Sequence, residues 1–265
     1  MDLFDAIILA IVEGITEFLP ISSTGHMIIV GKLIGVAGSS EFVKAYEVII
    51  QFGAILSVLV LYWKRFLQSL NFYVKLFIAV VPALLLGFLF KDYINDLLEN
   101  VTVVAVMLVL GGVLMLFVDT WFNKPDPDQT VTYKKGFFIG LAQCVALIPG
   151  VSRSMASIVS GMAQKFNRKT AAEFSFFLAV PTMAAASGYK LLELLMNPEN
   201  AVLLKDNLLT LIIGNIVAFI VAMLAIKGFI SFLTKYGFQA FGYYRIVIGG
   251  IILVFIACGA DLTMF

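Results

Sequence analysis

Two short clusters in an otherwise apolar chain have the residue types and spacing to do chemistry: Glu13, Glu17, Ser22, Ser23, Thr24 and His26, and then Ser152, Arg153, Ser154 and Ser157. Glu13 and Glu17 are four apart, so on a helix they stack on one face, within the apolar run Ala6 to Ile21. An acid at the centre of a membrane helix costs up to about 3 kcal/mol, and two like charges one turn apart repel. Either one carboxyl is protonated, or both meet water, or the pair holds a divalent cation. The last explains the pair best, because Mg²⁺ or Ca²⁺ takes carboxylate oxygens and completes its shell with water and substrate phosphate.

Beyond Pro20, Ser22, Ser23 and Thr24 offer hydroxyls and helix-capping oxygens, and Gly25-His26 opens a returning helix. Such a helix start presents unpaired N–H groups and a positive dipole end, which suits an anion. Ser152, Arg153 and Ser154 repeat the device at the head of a second helix running through Ser160. Arg153 adds a planar fork of donors suited to phosphate oxygens. An ion pair with Glu13 or Glu17 is the other use for an arginine at that depth, and a metal phosphate between them would satisfy both. His26, the sole histidine, is either a hydrogen-bonded core residue or, placed beside an anion site, a general acid, base or nucleophile. Arg245, Glu47 and Glu173 lack a neighbouring hydroxyl or glycine context and read as supporting charges at helix ends.

The elements that must position these groups follow from composition. Hydrophobic residues are 61% and charged residues 13%, against roughly half and about a quarter in globular domains. With a mean hydropathy of +1.01, much of this surface must face lipid. A net charge of +1 gives no electrostatic footprint for nucleic acid. Cys144 and Cys258 lie in apolar runs and read as core packing. Asp2, Asp5 and Glu13 stand where a signal peptide would be basic or apolar, so no cleaved signal is expected.

Apolar windows of crossing length fall at 46–63, 74–90, 101–122, 170–190, 207–227 and 240–260, which predicts six transmembrane helices in an all-α integral membrane protein. Segments 6–36 and 136–164 are apolar but broken by Pro, Gly and hydroxyl residues. Non-helical backbone at membrane depth survives only where protein or a water-filled cavity satisfies it, so each is expected to be a re-entrant helix–loop–helix hairpin. Loops 63–75, 123–135, 165–169 and 227–239 carry eleven of the eighteen Lys and Arg residues, while 91–100, with Lys91, Asp92, Asp96 and Glu99, and 191–206 are net acidic. That alternation places both termini outside, although Lys32 and Lys44 run against it.

An internal duplication gives the architecture. Glu13 and Ser22 align with Gln143 and Ser152, Glu47 with Glu173, and Gly111-Gly112 with Gly249-Gly250, in order along the chain. Repeats of approximately 1–122 and 136–265, each a hairpin plus three crossings, form one membrane domain of 1–265. An odd number of crossings inverts the second copy, which puts the site near the midplane.

On these residues the sequence resembles the undecaprenyl-pyrophosphate phosphatase family of bacterial inner membranes, associated with bacitracin resistance, over nearly the whole chain. The first signature stands as Glu13-Gly14-Ile15-Thr16-Glu17 followed by Ser22-Ser23-Thr24-Gly25-His26, and the second as Pro149-Gly150-Val151-Ser152-Arg153-Ser154-Met155-Ala156-Ser157, with Ser157 in place of a threonine. The resemblance implies a metal-dependent phosphatase acting on a long polyprenyl diphosphate, with its site open to the periplasmic side. The residues fit hydrolysis of undecaprenyl diphosphate to the monophosphate and inorganic phosphate. Glu17, with Glu13, would hold Mg²⁺ or Ca²⁺; Arg153, Ser22, Thr24, Ser152, Ser154 and Ser157 would hold phosphate. Ser23 is the candidate nucleophile with His26 as its base, while direct attack by His26 or by a metal-activated water stays open. A transporter of the lipid monophosphate is the rival class, since inverted repeats with broken helices also build transporters. A channel would need a continuous polar lining that the other spans do not offer. A homodimer stays open.

Overall fold

The computed structural model describes residues 1–36, 41–67, 69–98 and 100–259, with Asn95 and Leu98 described by their backbone alone. Glu99 and residue 260, the end of the sixth expected crossing, lie outside the described residues. Helices account for all the regular structure among them. In chain order they are α1 (Leu3–Thr16), α2 (Ser23–Leu33), α3 (Glu41–Leu61), α4 (Trp63–Phe66), α5 (Leu70–Leu89), α6 (Lys91–Leu98), α7 (Val101–Trp121), α8 (Tyr133–Gln143), α9 (Arg153–Ala163), α10 (Arg168–Met196), α11 (Pro198–Asp206), α12 (Leu208–Tyr236) and α13 (Gln239–Ala257), with a 3₁₀ turn at Cys144–Leu147.

Five of these, α3, α5, α7, α12 and α13, are long and apolar enough to cross a membrane. The remaining expected crossing, 170–190, lies in α10, which has the length at 29 residues but not the apolar character. The reason is its position. α10 packs against α3, α5, α9, α11 and α12, so much of its surface meets protein rather than lipid and tolerates Ser175, Thr182 and Ser187.

The two broken segments fold as helix pairs. α1 and α2 have 14 and 11 residues, α8 and α9 have 11 each, all short of the roughly 20 needed to span hydrocarbon. Their ends correspond closely. α2 and α9 each follow a serine with positive φ, Ser22 (φ 69°, ψ 100°) and Ser152 (φ 77°, ψ 115°). Both lie outside the left-handed well open to non-glycine residues, a conformation that costs on the order of 1–3 kcal/mol and persists only where surroundings impose it. At their far ends Val36 N–H bonds Gly31 O and Phe166 N–H bonds Gly161 O, at 2.9 and 3.0 Å.

Each pair is gripped by the opposite half of the chain. α1 packs on α12 and α8 on α5, while α7 lies along α13. Small residues permit the approach: a Cβ at Gly140 of α8 would collide with the Ala79 carbonyl of α5, and Gly112 and Gly242 meet where α7 crosses α13. At one end of the bundle Asp119 accepts from Arg168 Nε at 2.8 Å and from Phe238 N–H at 2.6 Å, and Asp126 N–H bonds Lys165 O at 2.9 Å. These contacts gather the basic connections 123–135, 165–169 and 227–239. Lys91 Nζ and Glu193 Oε1, 3.4 Å apart, join the two acidic connections.

Candidate active site

The breaks at 17–22 and 144–152 meet. Ser154, in the first turn of α9, donates to Phe18 O at 2.7 Å, which docks the second break directly on the first. Ser23 and Arg153 each open their helix, so the two N-termini, with their first N–H groups free of intrahelical partners, flank one place. Glu17 links them. Its Oε2 accepts from Ser23 Oγ at 2.8 Å and its Oε1 accepts from Arg153 Nη2 at 2.8 Å. The pair is largely dry, with side-chain exposures of 13% for Arg153 and 8% for Glu17. Phe18 lies under the guanidinium, 5.8 Å from ring centroid to Cζ, and Met183 Sδ and Ser175 O complete its surroundings at 3.4 and 3.2 Å.

Three buried polar atoms lack a partner among the described residues: Glu13 Oε1, Gln143 Oε1 and Arg153 Nε. Two belong to predicted site residues and the third to the position aligned with Glu13. Buried polar groups are ordinarily bonded, so an acceptor and a donor left open beside Glu17 and Ser23 mark a place prepared for something bound. No group of three His, Cys, Asp or Glu side chains capable of holding a metal occurs among the described residues. The Glu13–Glu17 pair nevertheless fits a hard divalent cation, since the two carboxyls stand one turn apart at the end of α1, one Glu13 oxygen is unsatisfied, and such ions commonly draw only one or two carboxylates from protein and the rest from water and phosphate.

The remaining expected site residues divide. Thr24 and Ser152 are half-buried at the helix heads; Ser152 caps α9 through Met155 N–H at 3.2 Å, whereas Ser22 makes no side-chain cap. Ser154 and Ser157 are buried and bonded inward, Ser157 Oγ to Arg153 O at 2.8 Å and to Ser175 Oγ at 2.7 Å, so binding phosphate would require them to exchange bonds already made. His26 does not meet Ser23 through a hydrogen bond. Its Nδ1 donates to Ser22 O at 2.8 Å, which leaves Nε2 of the neutral ring to accept from Tyr244 Oη at 2.7 Å.

Two readings of single residues need correction. Arg245 is not a supporting charge at a helix end: it lies within α13, fully buried, and all its bonds run to backbone carbonyls. An apolar span is compatible with it because each break supplies one free carbonyl and α7 supplies two more. Cys258 is exposed at the end of α13 and Cys144 is only partly buried, so neither is core packing in full. Tyr244 was not singled out in the sequence; its place beside Arg245 on an otherwise apolar helix is the only signal there.

Fold and site together define a multi-pass helical membrane protein in which two broken helix pairs bring a serine, a carboxylate and a guanidinium to one buried point. The model of the bacitracin resistance protein BacA family matches residues 6–251, and the chain belongs to that family. It is 57% identical over 257 residues to an undecaprenyl-diphosphatase of Flavobacterium johnsoniae, covering 96% of each chain. It is 53% identical to one of Porphyromonas gingivalis and 54% identical to one of Bdellovibrio bacteriovorus, each over the full length of both chains.

Proposed function

We propose that this protein hydrolyses undecaprenyl diphosphate to undecaprenyl phosphate and inorganic phosphate, recycling the lipid carrier of cell-wall synthesis. The observation that supports this most directly is the Ser23–Glu17–Arg153 chain of hydrogen bonds, at 2.8 Å for each link, between two helix N-termini. Phosphoryl transfer asks for positioning and charge neutralisation more than for elaborate machinery. Arg153, with its open Nε, and the N–H groups heading α2 and α9 would hold the phosphates. Ser23 Oγ attacks the terminal phosphorus, its proton passes to Glu17 Oε2, and the bond to the bridging oxygen breaks to release the lipid monophosphate. Water then cleaves the phosphoserine and restores Ser23. His26, committed to Ser22 O and Tyr244, shapes the turn that aims Ser23.

Glu13 and Glu17 would hold Mg²⁺ or Ca²⁺, which supplies neutralisation of phosphate charge when bound. The membrane layout that fits is six crossings, α10 among them, with two re-entrant hairpins entering from opposite faces as an inverted repeat. The matched strained caps of α2 and α9 support the repeat. The gathering of basic connections at one end supports placing that end in the cytoplasm; the same reading sets the protein in a bacterial inner membrane with its site reached from the periplasmic side.

The test is phosphate release from undecaprenyl diphosphate by the purified protein in detergent, with Arg153→Ala as control. Metal-dependent release that falls by about two to three orders of magnitude in the variant bears out the reading. Folded wild-type protein that releases none, with and without Mg²⁺ or Ca²⁺, overturns it.

A further inference from the structure

Arg245 places four hydrogen bonds, from all three of its nitrogens, on the two breaks and the helix behind them. Nη1 donates to Pro20 O at 3.1 Å, Nη2 to Gly150 O at 2.9 Å and to Met107 O at 3.1 Å, and Nε to Leu108 O at 3.3 Å. Pro20 stands three residues before Ser23, and Gly150 three before Arg153. One planar cation therefore holds the corresponding carbonyl of each break against the same point of α7. No carboxylate pairs with it among the described residues. A buried cation with only carbonyl partners is a costly way to join helices that already pack closely, yet it suits a joint between two irregular turns whose carbonyls point at one another. The joint also depends on Gly111: a Cβ at that position of α7 would collide with Nη2.

We infer that Arg245 is a positioning residue for the reaction, a clamp that fixes the two breaks relative to each other so that Ser23 and Arg153 both reach Glu17. The inference rests on the phosphatase reading for its kinetic consequence, but not for its geometry. Lysine would carry the charge without the fork, so it would bridge only one break at a time.

The experiment compares wild type, Arg245→Gln, Arg245→Lys and Gly111→Ala for kcat and KM on undecaprenyl diphosphate, each normalised to folded protein and accompanied by thermal unfolding. A displacement of the reacting groups of this kind costs about 100-fold, so kcat is expected to fall by that order in Arg245→Gln, with KM rising as well because the two breaks also head the phosphate site. Lys should rescue little. Gly111→Ala, which leaves Arg245 in place and substitutes a better helix former, should reproduce the loss, and it carries the test if Arg245→Gln does not fold. A folded Arg245→Gln or Gly111→Ala that keeps wild-type kcat overturns the inference.

A second readout does not need turnover. With Cys144 and Cys258 replaced by Ser, spin labels at Leu19→Cys and Ile148→Cys report the separation of the two breaks by pulsed electron resonance. The clamp predicts a narrow distance distribution that broadens in Arg245→Gln and in Gly111→Ala; an unchanged distribution in both variants overturns it. If wild type releases no phosphate, the phosphatase reading fails and the distance measurement alone decides on the clamp.

Discussion

Ser23 donates its hydroxyl hydrogen bond to Glu17, not to His26, across 2.8 Å. The opposite oxygen of that carboxylate is held by Arg153, so the acceptor is oriented before any substrate arrives. A carboxylate fixed in this way serves as a base without having to find its geometry in each turnover.

Glu17→Gln keeps the shape of the side chain and removes its basicity. Phosphate release is expected to fall by about 10²–10⁴-fold, the range for loss of a general base, and the unfolding temperature should drop as well, because Arg153 loses its buried counter-charge. Ser23→Ala should fall at least as far. A Glu17→Gln enzyme retaining most of its turnover would assign the base elsewhere.

Glu13 has an unsatisfied buried oxygen and touches neither Ser23 nor Arg153 by hydrogen bond. If it serves the cation, Glu13→Gln should raise the Mg²⁺ or Ca²⁺ concentration for half-maximal rate by about 10–100-fold, with the rate at saturating metal restored in large part. Chelation should silence the wild type reversibly. A rate loss in Glu13→Gln that no metal concentration repairs would place Glu13 in the chemical step instead.

Tyr244→Phe removes the bond to His26 Nε2 and leaves the bond from Nδ1 to Ser22 intact. With His26 acting through Ser22, the variant should lose about one neutral hydrogen bond, on the order of 1 kcal/mol or several-fold in rate, and keep the shape of its pH–rate profile. His26→Ala should lose more, again without abolishing a titrating limb. Disappearance of a limb near the histidine range would return His26 to the role of base.

Gly140→Ala forces a methyl against the α5 backbone, which cannot swing aside as a side chain does. Overpacking of this kind costs about 1–3 kcal/mol, so the unfolding temperature should drop by several degrees. Gly188→Ala, with open space around it, should be neutral or stabilising by up to about 1 kcal/mol. Differential scanning fluorimetry on the two variants checks the contrast.

Much of this architecture is written in local pattern. The broken helices announce themselves because Pro20 and Pro149-Gly150 interrupt apolar runs, and the site is legible because Glu13, Glu17 and Arg153 have no business at that depth otherwise. What periodicity does not carry is direction. That Ser23 turns toward Glu17 and not His26 follows a turn in which Ser22 takes a positive φ, a backbone state no residue type there suggests. Arg245 was misread for a related reason: its partners are carbonyls of Pro20, Met107, Leu108 and Gly150, and carbonyls leave no mark in a sequence. α10 reads as one more span from the apolar window 170–190, and only its central place shows why that window also carries Ser175, Thr182 and Ser187.

The grip of each hairpin by the opposite half sets an order in time. α1 leaves the ribosome first, but its neighbour α12 begins at Leu208, and the carbonyl of Pro20 waits for a residue 225 positions later. During synthesis the first hairpin, with its paired acids, meets α3 and α7 early but must wait for α12 and α13 until the end of the chain. Contacts so distant in sequence form late, so the joint between the two breaks is complete only once α13 is in place. A chain stalled before Gln239 would hold Ser23, Glu17 and Arg153 but lack the residue that ties the carbonyls of Pro20 and Gly150 together.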